Sequence, residues 1–421
     1  MMRAAEHAAR TGGLRTNAQW LLAGNVAFAL GAWVQVVLLA RAGGPSAVGS
    51  YAYALALTGP AVGFASLQLR ALLATDGAGA YSFGEYRALR ALGMAAAVVA
   101  VVALGWSSDG APLLGVLVPV CLMRAAEGVS DVYHGVWQRS ERMAVIGWAL
   151  ALNGVGSAVL MGVALAMGTG VAGGAAGAAL GSAIALAFVH QRTAAARGAL
   201  RLAPAGGLAW RRLLRLARAA APLGGITLLT ALQASVPRYF IQASGEEAAL
   251  GLFAAAYQLP VAGGMVISAL GSAAVPRLAA LHEAGDGAAF RSLTRTLTWS
   301  GALLGVAGVA LAIVLGRPLL AVLYDPSFAG ADRMLVVLSA AAGLAFVASF
   351  QGYALTAARV IAPQPILLGG VTLVLGVACA ALVPRFGGLG AAWAIVAASA
   401  VQVLASGALL RSVGRAGEGL T

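Results

Sequence analysis

The stretch PLLGVLVPVCLMRAAEGVSDVYHGVWQ, from Pro112 to Gln138, decides the fold. Its first half is apolar enough to enter a bilayer, and its second half carries Arg124, Glu127, Asp131, His134 and Gln138. Spacings of three, four, three and four place these five side chains on one face of a helix. Leu122, Met123, Val129, Val132 and Val136 occupy the other faces. A charge inside a membrane costs at least a few kcal/mol, so such residues face a wet cavity or a partner. A whole stripe of them implies that neighbouring helices surround a polar cavity.

The remainder of the chain supplies those helices. Of 421 residues, 61% are hydrophobic and only 10% charged, too few to cover the surface of a soluble protein of this length. Repeated apolar runs of about 20 residues are long enough to cross a hydrocarbon core of ~30 Å. The expectation is an all-α polytopic membrane protein. Twelve candidate spans fall at about 20–40, 51–69, 89–106, 112–133, 143–167 and 171–189, then 222–240, 250–270, 297–315, 334–355, 366–383 and 389–410. The connections are too short for a folded domain outside the membrane.

The net charge of +13 invites a nucleic-acid reading, which the placement of the charges excludes. All 27 basic residues are arginine. With both termini cytoplasmic, 21 of them, including Arg70, Arg87, Arg90 and Arg277, fall on the cytoplasmic side. Five (Arg41, Arg238, Arg317, Arg333 and Arg385) fall opposite, and Arg124 lies within a span. This asymmetry obeys the positive-inside rule. Cys121 and Cys379 both lie in apolar spans and read as packing residues. Trp20, Trp106, Trp148, Trp299 and Tyr324, near span ends, read as interfacial anchors.

The longest connection, between spans six and seven, divides the chain into residues 1–189, a basic cytoplasmic linker 190–219 and residues 220–421. Pro204, Gly206 and Gly207 mark its centre. Trp210, Leu213, Leu214 and Ala217 can share a face opposite Arg211, Arg215 and Arg218, a pattern that suits a helix lying on anionic lipid. A solvated linker that only fixes topology is the alternative. The halves resemble one another: Arg41 precedes GSYAYA (Gly49–Ala54) and Pro60, while Arg238 precedes GLFAAA (Gly251–Ala256) and Pro260. Two parallel six-helix lobes around a central polar cavity are the expected architecture, a transporter design. Gly173, Gly177 and Gly181 form a ridge of small residues for helix packing.

With these features in order along the chain, the sequence resembles the Wzx-type O-antigen and exopolysaccharide flippases, in the superfamily that includes multidrug and toxin extrusion transporters. The residues that carry the resemblance are LLARAGGPSAVGSYAYALAL (Leu38–Leu57), LGLFAAAYQLP (Leu250–Pro260) and AAVPRLAALHEAGDGAAFRSL (Ala273–Leu293). Arg41, Gly49, Arg70, Gly251, Pro260, Pro276 and Arg277 match positions where the family tends to carry such residues. The resemblance implies translocation of a polyprenyl-pyrophosphate-linked oligosaccharide across a bacterial inner membrane, by alternating access, with no cofactor and no catalysis. It implies the lipid-linked oligosaccharide as cargo, with polysaccharide polymerase machinery as a partner. The stripe on span four does not transfer by motif.

Flipping requires a polar route for sugars and pyrophosphate, and arginine suits phosphates because its planar fork binds oxyanions bidentately. Arg124 is the first candidate for an anion contact, with Arg70 and Arg277 at the cytoplasmic mouth. Glu127, Asp131, Gln68 and Gln258 complete the candidate cargo-binding set. Glu127, Asp131 and His134 are candidates for ion coupling. For Arg124 the alternative is an ion pair with Glu127 or Asp131. Rival functions are a multidrug-extrusion cation antiporter, a flippase for the peptidoglycan precursor lipid, and a membrane polysaccharide polymerase or ligase. The chain has no lysine, hence no phosphate-binding loop ending in one.

Overall fold

A computed structural model describes residues 13–76, 79–108, 111–198, 200, 209–245 and 247–418. The linker residues Pro204, Gly206 and Gly207, and Arg3, Arg10 and Arg201 of the basic side, lie outside the described residues. The described chain is helical throughout: α1 (Leu14–Ser66), α2 (Leu69–Thr75), α3 (Phe83–Ser108), α4 (Ala111–Arg139), α5 (Met143–Ala166), α6 (Gly170–Ala195), α7 (Trp210–Ala243), α8 (Glu247–Glu283), α9 (Gly287–Leu323), a 3₁₀ turn (Pro326–Ala331), α10 (Asp332–Ala357) and α11 (Gln364–Glu418). Ten helical stretches among the described residues are long and apolar enough to cross a membrane. This is a multi-pass membrane protein.

Two of those stretches are far longer than one crossing requires. α1 has 53 residues and α11 has 55, about 80 Å each at 1.5 Å per residue. Each breaks at a glycine in the left-handed half of the backbone map, Gly44 at φ 65° and Gly387 at φ 55°. Only glycine holds such a conformation without a Cβ penalty. The breaks fall between the first two and the last two apolar runs of the sequence. α8 and α9 run well past their apolar windows, to 37 residues apiece, because helix continues through polar residues that hydropathy does not count.

The chain forms two compact units, residues 1–43 with 53–231, and 44–52 with 232–421. In the first, α5 lies on α6 and both pack near α4; Gly181 of α6 rests against the backbone of Ser157 on α5, and Gly177 against the Leu160 carbonyl. These are the contacts the small-residue ridge anticipates. Cys121 is buried and free. α7 begins in this unit. Its first turns bury Leu213, Leu216 and Ala220, and Leu216 and Ala220 pack in a core with Leu67, Leu69, Tyr86, Val132 and Val136. Trp210 and Leu214 stay exposed, so the apolar face is rotated from the one expected of a lipid-lying helix. The cause is continuity: the segment is the leading part of α7, fixed by Arg212, whose Nε pairs with Glu85 Oε1 at 2.5 Å and whose guanidinium lies over Tyr81.

In the second unit α10 packs on α8, α9 and α11. Phe346 and Phe350 of α10 join Ile267 of α8 in one core. Cys379 is buried and free here. Tyr324 is 1% exposed and donates its hydroxyl to the Ala255 carbonyl at 3.1 Å, so it ties the 3₁₀ turn region to α8 and is not an interfacial anchor. Trp20, Trp106, Trp148 and Trp299 are exposed, as anchors would be.

Candidate functional site

The stripe on α4 forms one face of a cavity of about 150 Å³ in the first unit. α4 contributes Glu127, Ser130, Asp131 and His134; Arg70 comes from α2, Phe28 from α1, Leu150 and Asn153 from α5, and Ala185 from α6. The geometry follows from the helix period. Residues 124, 127, 131, 134 and 138 recur on one side of α4, and the other sides bury Val120, Cys121, Val132 and Val136.

The charged groups are arranged in two clusters. Arg124 Nη1 donates to Glu127 Oε2 at 2.6 Å, the i,i+3 pair that the sequence offers as the alternative to an open anion contact. One turn on, Asp131 accepts from two arginines on other helices: Arg70 Nη1 at 3.4 Å and Arg90 Nη2 at 3.1 Å. Arg70 also donates its Nε to Gln138 Oε1 at 2.9 Å. Position 70 reaches α4 because the chain reverses just before it. Leu67 and Gln68 take consecutive left-handed conformations, φ 48° and 50°, and start the short helix α2 that carries Arg70. His134 is buried, and its Nε2 has no hydrogen-bond partner among the described residues. Ser130 Oγ is likewise enclosed and unpartnered. Asn153 Oδ1 accepts from Ser182 Oγ at 2.7 Å and Ser157 Oγ at 3.3 Å, linking α5 to α6 behind the cavity.

Three guanidiniums face two carboxylates across these clusters, leaving one surplus positive charge beside the cavity. The volume is below the ~300–1,000 Å³ of pockets that take drug-sized ligands. A single phosphate, an ion or a few waters fit there.

The sequence-derived candidates fall in several places. Arg70, Glu127, Asp131 and His134 line the cavity, and Arg124 is joined to it through Glu127. Gln68 is exposed at the left-handed joint. Gln258 is half-buried and Arg277 exposed, both on α8 in the second unit. Arg90 escaped the sequence reading, which counted it among cytoplasmic arginines; it is 1% exposed on α3 and paired with Asp131. The signal was present in the spacing: Tyr86, Arg90, Met94, Ala97 and Val101 recur at helical period and are all buried.

The fold is shared with two groups of solved membrane proteins. The chain resembles the lipid II flippase MurJ in an inward closed conformation (TM-score 0.69, 12% identity, 92% of this chain and 86% of that one). It also resembles an inward-facing multidrug resistance MATE family transporter of the MOP superfamily (TM-score 0.67, 15% identity, 99% and 98%). The polysaccharide biosynthesis protein family model matches residues 14–282, and the chain belongs to that family. It is 23% identical over 334 residues to the capsular polysaccharide biosynthesis protein CapF of Staphylococcus aureus, covering 79% of this chain and 82% of that protein.

Proposed function

We propose that the protein translocates a polyprenyl-pyrophosphate-linked oligosaccharide from the cytoplasmic to the outer leaflet of a bacterial inner membrane, for surface polysaccharide assembly, by alternating access. The observation that carries this reading is the surplus positive charge of the Arg70–Arg90–Asp131 and Arg124–Glu127 clusters, in a chain of the polysaccharide biosynthesis family. An anionic cargo is favoured beside such a cluster, and an organic cation is not. Translocation breaks no covalent bond, so the protein is a transporter and not an enzyme. The working division is two six-helix lobes, 1–189 and 220–421, joined by the linker 190–219. Exposed Arg211, Arg215 and Arg218 on the first turns of α7 suit contact with anionic lipid headgroups. A polysaccharide polymerase acts on the product after the flip.

The cavity has room for an ion or for a phosphate of the cargo, and its titratable side chains suit ion coupling as well. Glu127, Asp131 and His134 are the coupling candidates. A proton delivered to Asp131 dissolves its pairs with Arg70 on α2 and Arg90 on α3, and exposes the Arg90 guanidinium and the Arg70 Nη1 group to an anionic ligand while Arg70 keeps its bond to Gln138. Arg124 and Glu127 offer the same exchange one turn away. Among the remaining candidates, Gln68, Gln258 and Arg277 have side chains available to sugar hydroxyls or phosphate.

The test is a strain lacking the protein, in which polyprenyl-linked glycans are extracted after treatment with an impermeant reagent on either side of the membrane. Cytoplasmic-face accumulation with loss of surface polysaccharide is the expected result. Normal glycan export with new drug sensitivity contradicts the proposal and points to small-molecule extrusion.

A further inference from the structure

Each arginine of the first unit's clusters touches a carboxylate, but Arg238 does not. It lies near the C-terminal end of α7, half-buried, with no carboxylate within 4.0 Å among the described residues. Its guanidinium sits 5.7 Å above the centre of the Tyr257 ring, and Tyr257 stacks in turn on buried Phe253, with centroids 5.8 Å apart and planes 18° apart. This contact holds the guanidinium against an aromatic face by a cation–π attraction that uses none of its N–H donors. Arg238 Nε is enclosed and unpartnered, and one turn on, at the i+4 position, Gln242 Oε1 is enclosed and unpartnered too. A donor on a cation and an acceptor thus fall one turn apart on one helix face, both unsatisfied. In the sequence Arg238 falls with the arginines opposite the basic side, as the counterpart of Arg41 in the first repeat. Arg41, however, is exposed.

We infer that Arg238 and Gln242, backed by the Tyr257–Phe253 stack, form an anion subsite in the second unit for a phosphate that carries a neighbouring hydroxyl. Arg238 takes a phosphate oxygen, and Gln242 Oε1 accepts from the hydroxyl. A glycosyl pyrophosphate on a lipid carrier has that chemistry, and so does the headgroup of phosphatidylglycerol. The first source rests on the proposed function; the site itself does not.

The full-length protein, purified in detergent, is titrated by native mass spectrometry with farnesyl pyrophosphate, farnesyl-pyrophosphoryl glucose, phosphatidylglycerol and uncharged farnesol. Arg238→Gln is expected to weaken the anions by about tenfold or more, the scale of a charge-assisted hydrogen bond, and to leave farnesol unchanged. Gln242→Leu is expected to weaken the glucose-bearing ligand and phosphatidylglycerol but not farnesyl pyrophosphate, which keeps the test open if the Arg238 variant fails to fold. Unliganded Arg238→Gln is expected to melt at or above the wild-type temperature, because it removes a cation without a counterion, an outcome that a structural role for Arg238 does not give. Dependence on Arg238 for phosphatidylglycerol alone keeps the site and removes the lipid-linked glycan as its ligand. Equal affinity of wild type and both variants for every anion overturns the subsite and leaves the flippase reading standing.

Discussion

Gly49 and Gly251, the corresponding glycines of the two sequence repeats, meet backbone to backbone within one unit: a Cβ on Gly251 would lie 3.0 Å from Gly49 N and would run into the Pro45 carbonyl oxygen. A Cβ on Gly49 would collide in the same way with the Glu247 carbonyl oxygen, and would stand 3.2 Å from Gly251 N. Backbone atoms cannot swing aside as a side chain can. Gly251→Ala and Gly49→Ala are each expected to destabilise the protein by about 1–3 kcal/mol, as overpacking does. The double variant should cost less than the sum, because the two sites share one contact. Thermal melting of the purified variants measures both effects, and additive losses would place the two glycines in separate contacts.

Asp131 holds two arginines at once, and Arg90 is the more deeply buried of them. Asp131→Asn leaves Arg90 as a buried cation without a counterion and is expected to cost about 3–5 kcal/mol. Arg90→Met with Asp131→Leu removes the pair, leaves Arg70 its bond to Gln138, and should recover most of that loss. A double-mutant cycle on melting temperature reads the coupling.

Glu127 pairs with Arg124 and lines the cavity. If it carries the coupling proton, Glu127→Gln abolishes the dependence of transport on an imposed proton gradient while leaving gradient-free exchange measurable. An unchanged gradient dependence in this variant removes Glu127 from the coupling path.

Outside the membrane, Asp76 organises the turn between α2 and α3. Burial pushes its carboxyl up, but this is outweighed by the backbone N–H groups of Ala80 and Tyr81, at 3.0 and 3.2 Å, and by the Tyr86 hydroxyl; the net shift is below the usual aspartate range. A depressed folded-state value means that the stabilisation is complete above the unfolded value near 3.8 and is lost as pH falls through the lower folded one. Asp76→Asn should therefore lower stability at neutral pH by about 1 kcal/mol, and the gap to wild type should close in acid. Melting curves between neutral and acidic pH test the sign.

Much of the first unit was legible in the sequence because helical period is a strong signal. Arg124, Glu127, Asp131, His134 and Gln138 fell on one face by spacing alone, and the cavity lies against that face. What joins the stripe was not legible. Arg90 sits where an apolar run begins, so a count of loop charges assigned it to solvent, although its register with Met94 and Ala97 marked it as buried. Arg70 reaches Asp131 only through the left-handed pair Leu67 and Gln68, residues whose types give no warning of that conformation. The full length of the helices was not legible for a related reason: hydropathy marks the part of a helix that lipid touches, while α8 and α9 continue through charged residues beyond it. The first turns of α7 had an amphipathic pattern whose buried side was set by Arg212 and Glu85, a pairing between distant parts of the chain.

Movement of lipid-linked glycan by this protein is read most directly after reconstitution. Proteoliposomes carrying the purified full-length chain and a short prenyl-pyrophosphoryl oligosaccharide are sampled over time with an impermeant sugar-oxidising reagent. Protein-dependent loss of the protected inner-leaflet pool is expected, slowed in Asp131→Asn and absent from liposomes without protein. A protected pool that persists equally with and without the protein, while the same vesicles exchange organic cations, would contradict it.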